Sequence, residues 1–188
     1  MPVQSLLNFL SDITPLTSLF KAELVLSLHI EHYMPRQIFH SAGQTENRLW
    51  FLEKGFARSY YFDPAGKEHT LVFYHENEMI FSQKGYWKEA SDYYLEALQP
   101  VSLISLAYEE LAKLFPFPET KILIQYFLRQ RHQQDIFKSR IMSWSAEERY
   151  KEFRKFYPEI FQKASVRLIA TYLNMTRENL SRLIGRDR

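Results

Sequence analysis

Residues 166–186 read VRLIATYLNMTRENLSRLIGR, and their apolar positions fall into two short helical faces. Val166, Ile169, Ala170 and Leu173 make the first; Leu180, Leu183 and Ile184 make the second. Between them, Asn174 tolerates left-handed backbone, Met175 is an apolar plug and Thr176 suits the cap of the second helix. The spacing predicts a helix-turn-helix, with the small Ala170 allowing close approach of the second helix. Arg177, Glu178, Ser181 and Arg182 then lie at and beyond the N-terminus of that helix, with Arg186 near its end. Arg can hold guanine O6 and N7 bidentately, Glu can accept from cytosine N4, and Thr176 or Ser181 can bond phosphate oxygens. Helical hairpins in ordinary cores look similar, so the surrounding chain has to decide.

Outward from this segment, charge divides the molecule. Residues 1–120 hold 9 Lys+Arg against 15 Asp+Glu, a balance of −6, while residues 121–188 hold 15 against 7, a balance of +8. An acidic body joined to a basic module suits phosphate backbones or anionic surfaces, although a solvated helical surface gives the same count. Ser145-Ala146-Glu147-Glu148 matches a capping box, so a helix should start there, and Pro158 marks its end region. Before it, a helix over residues 119–144 carries Leu123, Phe127, Phe137, Ile141 and Trp144 on one heptad seam, with Gln130 and Gln134 at the two intervening seam positions. The expectation is pairing with a second copy of this helix; the competing reading lays it across its own β-domain.

Towards the N-terminus the pattern changes to strands. Runs at 49–52, 56–62, 70–74, 79–81, 94–98 and 101–106 are cut by turn chemistry, including Glu53-Lys54-Gly55 and Asp63-Pro64-Ala65-Gly66. Residues 5–32 read as amphipathic helices broken near Pro15. The fold class is therefore α+β: an antiparallel β-roll of jelly-roll type with flanking helices over 1–118, a dimerisation helix over 119–144, and a helix-turn-helix domain over 145–188. In a chain of 188 residues, 16% aromatic content excludes a disordered or coiled-coil chain, and the absence of cysteine excludes disulfides, thiolate zinc sites and cysteine nucleophiles. With no apolar stretch of membrane-spanning length and no signal peptide, the expected location is the cytoplasm, away from membranes.

In this order, the segments resemble the Crp/Fnr family of bacterial transcription regulators over nearly the whole chain. Thr176-Arg177-Glu178-Asn179-Leu180-Ser181-Arg182 looks like that family's recognition helix, and Leu52 to Phe81 is similar to its cyclic-nucleotide-binding β-roll, including the Glu-Lys-Gly turn and a Gly-Lys-Glu hairpin. SAEERY at 145–150 resembles the start of the DNA-binding domain in shorter members. The resemblance implies a homodimeric, sequence-specific DNA-binding regulator with Arg177, Glu178 and Arg182 at base-reading positions. RNA polymerase and a small-molecule effector are further partners it implies.

Two departures qualify this. The family's phosphate cassette, with its acidic and arginine positions, aligns here with Asn77 to Ser82 and Ser91-Asp92, so the charges that hold a cyclic phosphate are missing and cyclic AMP should bind weakly or not at all. The C-terminal wing is absent from residues 187–188, which puts affinity for DNA in doubt more than fold. Phe81, Ser82, Tyr86, Trp87, Ser91 and Tyr93 surround the altered cassette and either line an effector pocket or fill the vacated space.

Rival chemistries find few residues. No His-x-His pair exists; His29 and His32 would share a helix face without a third ligand, and His69 and His75 fit a strand surface better than a metal, so neither metal nor cofactor is expected. Nucleophile elbows, glycine-rich phosphate loops and His-Glu-x-x-His helices are missing, and Glu109-Glu110 and Glu147-Glu148 suit helix starts, so the chain is not read as an enzyme. The remaining alternative is a sensor or interaction protein whose basic helical tail binds another protein.

Overall fold

A computed structural model describes residues 2–187, Pro2 by its backbone only. Two N-terminal helices, α1 (Pro2–Ile13) and α2 (Ser18–Leu26), precede strands β1 (Leu28–Tyr33), β2 (Ile38–His40), β3 (Arg48–Lys54), β4 (Ala57–Phe62), β5 (Glu68–Tyr74) and β6 (Glu78–Ile80). After the short helix α3 (Gln83–Tyr86) come β7 (Tyr94–Ala97), β8 (Val101–Ala107), α4 (Tyr108–Lys113) and the long α5 (Pro118–Met142). Helices α6 (Ala146–Phe156), α7 (Ile160–Lys163), α8 (Val166–Tyr172) and α9 (Arg177–Arg186) form a C-terminal head.

The strands make two antiparallel four-stranded sheets, ordered β1-β8-β3-β6 and β2-β7-β4-β5. Between them lie Trp50, Leu52, Tyr74, Ile80, Leu95 and Leu103, supplied by strands with one face turned inward. Turn chemistry closes the hairpins as read. Asp63 Oδ1 accepts from the backbone N–H groups of Ala65 (3.0 Å) and Lys67 (2.9 Å), and Gly66 takes φ +79°. Gly55 sits at φ +106°, and a Cβ there would lie 2.3 Å from the Pro100 carbonyl oxygen, so both conformation and close approach require glycine.

One element departs from expectation. Residues 28–33 are not the end of a helix but β1, paired with β8 from Leu28↔Leu106 to Tyr33↔Val101. Helix α2 ends at Ser27, whose backbone N–H bonds the Leu24 carbonyl, and the free edge of β8 then takes the chain. On a strand, His29 and His32 point to opposite faces, so the shared face imagined for them does not exist.

Helix α5 runs from the outer face of the first sheet to the head, and its heptad seam is partly covered by the chain itself. Leu123 and Phe127 belong to a cluster with Leu6, Leu10, Phe20 and Phe51, and Phe127 lies 6.2 Å from the Phe9 ring. Phe137 contacts the rings of Phe156 and Tyr157, and fully buried Ile141 joins the core of the head. Gln130 and Gln134 line a cavity with Tyr74 and Arg131. Of the predicted pairing residues, Leu123 and Ile141 are thus buried within their own chain, Phe127, Gln134 and Phe137 are half-buried and Gln130 is exposed, because a heptad stripe records that one side of a helix is covered without specifying by what. The opposite side leaves Ile122, Leu128 and Ile136 exposed at 45%, 41% and 51%.

Candidate nucleic-acid interface and effector site

The head is built around Tyr150, Phe153, Ile160, Ile169, Leu173, Leu180 and Leu183, all buried. The capping box of α6 is present: Ser145 Oγ accepts from the Glu148 N–H, while Glu148 Oε2 accepts from the Ser145 N–H at 2.9 Å. Between α8 and α9, Asn174 takes φ +50°, and the Met175 N–H bonds the Ala170 carbonyl at 3.0 Å. Thr176 caps α9 by accepting from the Asn179 N–H at 3.2 Å.

Leu180 and Leu183 anchor α9, so its other face is displayed. Thr176, Arg177, Glu178, Ser181, Arg182 and Arg186 are all exposed. Arg182 Nη2 donates to Asn179 Oδ1 at 3.0 Å, which holds the guanidinium along the helix face. Three arginines on an outward face at the end of the chain make a cationic edge with few internal commitments.

The back of the helix-turn-helix was less legible. Leu168 and Tyr172 are buried besides Ile169, Ala170 and Leu173 of the predicted face, while Val166 is half-buried, because α8 also docks on β5. Tyr172 packs on Phe73 at 5.6 Å, Thr171 and Thr70 hydroxyls meet at 2.7 Å, and Lys67 Nζ reaches Asn174 Oδ1 at 3.5 Å. A charged relay crosses the same junction. Arg58, 3% exposed, holds Glu68 (2.8 Å) and Glu96 (2.7 Å), and Glu68 also accepts from Arg167 of α8 at 3.1 Å. Burial opposes ionisation of Glu68, but Arg58 and Arg167 outweigh it and hold its carboxyl below the usual range. Lys138 of α5 donates to the carbonyls of Thr70 (2.8 Å) and Leu71 (2.7 Å), and burial lowers its ammonium to about 8.

The six residues expected around an effector separate into different environments. Phe81, Ser82, Tyr86 and Trp87 line an apolar cavity of about 310 Å³ between the first sheet, α3, α4 and α5. Phe81, Ser82 and Tyr93 also border a polar cavity of about 240 Å³ reaching Ser59, Tyr74, Arg131 and Asp135. Ser91 lines neither; it is buried, its Oγ 2.6 Å from His40 Nε2 and bonded to the Tyr93 carbonyl. Tyr93 donates to Glu46 Oε2 at 2.6 Å, and Tyr108 meets Glu46 Oε1 at 3.2 Å and Ser82 through both of its hydroxyl functions. Glu46 is 1% exposed, and burial pushes its carboxyl up to about 7 despite these hydroxyl partners. A Cβ on Gly85 of α3 would fall 2.3 Å from the Glu46 carbonyl oxygen, so the cassette helix sits directly on this residue.

The polar cavity suits a cyclic phosphate poorly. Its cations are matched by carboxylates: Lys84 Nζ pairs with Asp92 at 3.0 Å and Arg131 with Asp135 at 3.3 Å. A phosphate entering there displaces one carboxylate or faces it, which removes the charge-assisted bonds such a ligand needs. The histidines have other partners: His69 Nε2 lies 2.9 Å from Asp63, and His75 Nε2 lies 3.6 Å from Glu159. Among the described residues no group of three potential ligands could hold a metal, and no helix is long and apolar enough to cross a membrane.

Residues 30–116 match the family model of the cyclic nucleotide-binding domain. No curated protein matches the chain by sequence. Among solved structures, it is similar to CLP of Xanthomonas campestris, a c-di-GMP-responsive global regulator, at 14% identity and TM-score 0.72 over 90% of this chain and 91% of that one. FixK2 of Bradyrhizobium japonicum is similar at 16% identity and TM-score 0.70, covering 85% and 83%. A regulator from Eubacterium rectale assigned to the Crp/Fnr family gives 18% identity and TM-score 0.69, covering 90% and 82%. Residues 30–116 thus resemble a cyclic nucleotide-binding domain, and from roll through long helix to helical head the chain has the fold seen in the Crp/Fnr transcription regulators.

Proposed function

We propose that the protein is a sequence-specific, DNA-binding transcription regulator that acts as a homodimer in the cytoplasm, without enzymatic activity. The observation that carries this reading is the exposed row Arg177, Glu178, Ser181, Arg182 and Arg186 on a capped helix whose apolar side is anchored. The N-terminus of α9 enters a major groove, where Arg177, Glu178 and Arg182 read base edges while Thr176 and Ser181 hold phosphates. Two such heads, about 34 Å apart, read a near-palindromic site.

The partner copy meets α5 on its exposed side. Ile122 and Ile136 supply the apolar contacts there, with Gln125 and His132 on the same helix side. Ile136→Glu places a charge in that seam and converts a concentration-dependent dimer to monomer in sedimentation equilibrium; an unchanged dimer would move the interface elsewhere.

The reading is tested by selecting bound fragments from the native genome and footprinting the common half-site. Arg182→Ala costs about 1 to 3 kcal/mol on that site and relaxes one base position, while binding to random DNA changes little. Equal losses on specific and random DNA remove Arg182 from base reading. Binding that ignores salt, or the absence of any preferred sequence, favours the alternative of a basic head contacting another protein.

The effector is not cyclic AMP. Calorimetry with cyclic AMP is expected to give no saturable heat up to millimolar nucleotide, because Asp92 and Asp135 already occupy the cations of the polar cavity; micromolar affinity would overturn this.

A further inference from the structure

The apolar cavity beside α5 differs in kind from the polar one across Phe81. Six aromatic side chains, Phe81, Tyr86, Trp87, Tyr108, Phe115 and Phe127, contribute to its walls, and no charged residue does. Leu49 and Met79 form its floor, and Ile124 and Leu128 close it along α5. The Tyr108 hydroxyl is committed to Glu46 and Ser82, and Ser82 Oγ accepts from the Gly85 N–H, which leaves Gln83 as the other non-aromatic polar side chain in the lining. Tyr86, the last residue of α3, and Trp87, its C-cap, stand 47% and 61% exposed just before left-handed Lys88, and Phe115 is 44% exposed on the α4 side. The volume of about 310 Å³ is about twice the ~150 Å³ void that takes up benzene in an engineered protein core.

From these walls we infer that the cavity is a binding site for an uncharged aromatic molecule of two or three rings, held by stacking and burial. Aromatic walls favour a flat ring system through offset and edge contacts as well as burial. A charged group placed among them meets no counter-ion, so ionic ligands are rejected. The occupant touches α3 of the cassette and α5 of the dimer-proposed helix together. The inference concerns binding alone and does not rest on the DNA-binding reading.

Two probes that differ by one charge test it: N-phenyl-1-naphthylamine, which is neutral, and its sulfonate, 8-anilino-1-naphthalenesulfonate. Fluorescence titration of the full chain is expected to show the neutral probe saturating at one per chain with micromolar affinity, at least tenfold tighter than the sulfonate. Trp87→Ala, at the exposed rim, weakens the neutral probe about tenfold without changing the melting temperature. Ile124→Phe, which fills the cavity with a residue of similar polarity, abolishes saturation while leaving the far-ultraviolet spectrum intact. Equal affinity for both probes, several probes per chain, or binding unaffected by either variant would sink the proposal. So would probe affinity that falls as the chain self-associates, since the cavity would then belong to the interface between copies.

Discussion

Replacing Arg58 with alanine is expected to be among the most damaging single changes in the molecule, costing about 3 to 5 kcal/mol at neutral pH. Its guanidinium is 3% exposed and compensates two carboxylates, Glu68 and Glu96, whose side chains are themselves only 18% and 15% exposed. Removing it leaves two carboxylates in a low-dielectric junction with one remaining cation, Arg167, shared with Glu68 alone. The side chain also lies over the Tyr60 ring at 4.1 Å, so packing is lost with charge. For a chain of this size the melting temperature falls by roughly 10 °C. The sign with pH follows from Glu68, whose carboxyl lies below its ordinary value when folded: its contribution is present above that ordinary value and lost as pH falls through the lower, folded one. The penalty of Arg58→Ala therefore shrinks in acid, and urea titrations at pH 7 and pH 4 measure it. The triple variant Arg58→Met, Glu68→Gln, Glu96→Gln should recover much of the loss. A penalty independent of pH and unrelieved by the triple change would assign the effect to packing rather than to uncompensated charge. Hydrogen exchange in α8 should rise with Arg58→Ala, because the relay ends on Arg167 of that helix.

Much of this architecture was readable because local chemistry and global placement agree. Asp63-Pro64-Ala65-Gly66 is a turn by its own residues, Ser145 and Glu148 make a capping box by theirs, and Asn174-Met175-Thr176 separates two helical faces without help from the body. Helix α9 was legible for the same reason: its buried leucines and exposed arginines alternate within ten residues. What failed depends on distant partners. Residues 28–33 continue a run of apolar positions from α2 and become a strand only because β8 offers an edge some seventy residues later. The α5 stripe is apolar on two sides, and nothing in its spacing distinguishes the side covered by α1 and the head from the side left to solvent. Ser91 lies close to Trp87 in sequence, yet the backbone turns it onto His40. The Arg58, Glu68 and Arg167 relay spans more than a hundred residues, so no periodicity announces it.

Glu46 carries the second large effect and was invisible as a sequence signal, being a lone carboxyl in a loop. Its folded value of about 7 lies above the ordinary 4.5, so the folded state holds its proton more tightly than the unfolded chain does. The cost of ionising it is therefore absent below the ordinary value, grows as pH rises towards 7 and is complete above that, at about 3 kcal/mol by linkage. Glu46→Gln keeps the shape: the amide oxygen accepts from Tyr93 while its N–H can donate to Tyr108. This variant is expected to match the parent near pH 4.5 and exceed it by up to about 3 kcal/mol at pH 8. The comparison has to be a difference, because other groups bend the parent curve. Burial also raises Glu78 to about 7, and burial lowers His40 and His75, which favour the folded state as pH rises. Glu46→Ala behaves differently, since it leaves Tyr93 without its acceptor, takes one from Tyr108 and opens a gap beneath Gly85; it should be destabilising by about 2 to 4 kcal/mol at every pH. Denaturant melts of the three proteins from pH 4.5 to 8 decide the matter. If the glutamine variant shows no gain that grows with pH, Glu46 is not held protonated and the cassette helix rests on an ordinary carboxylate.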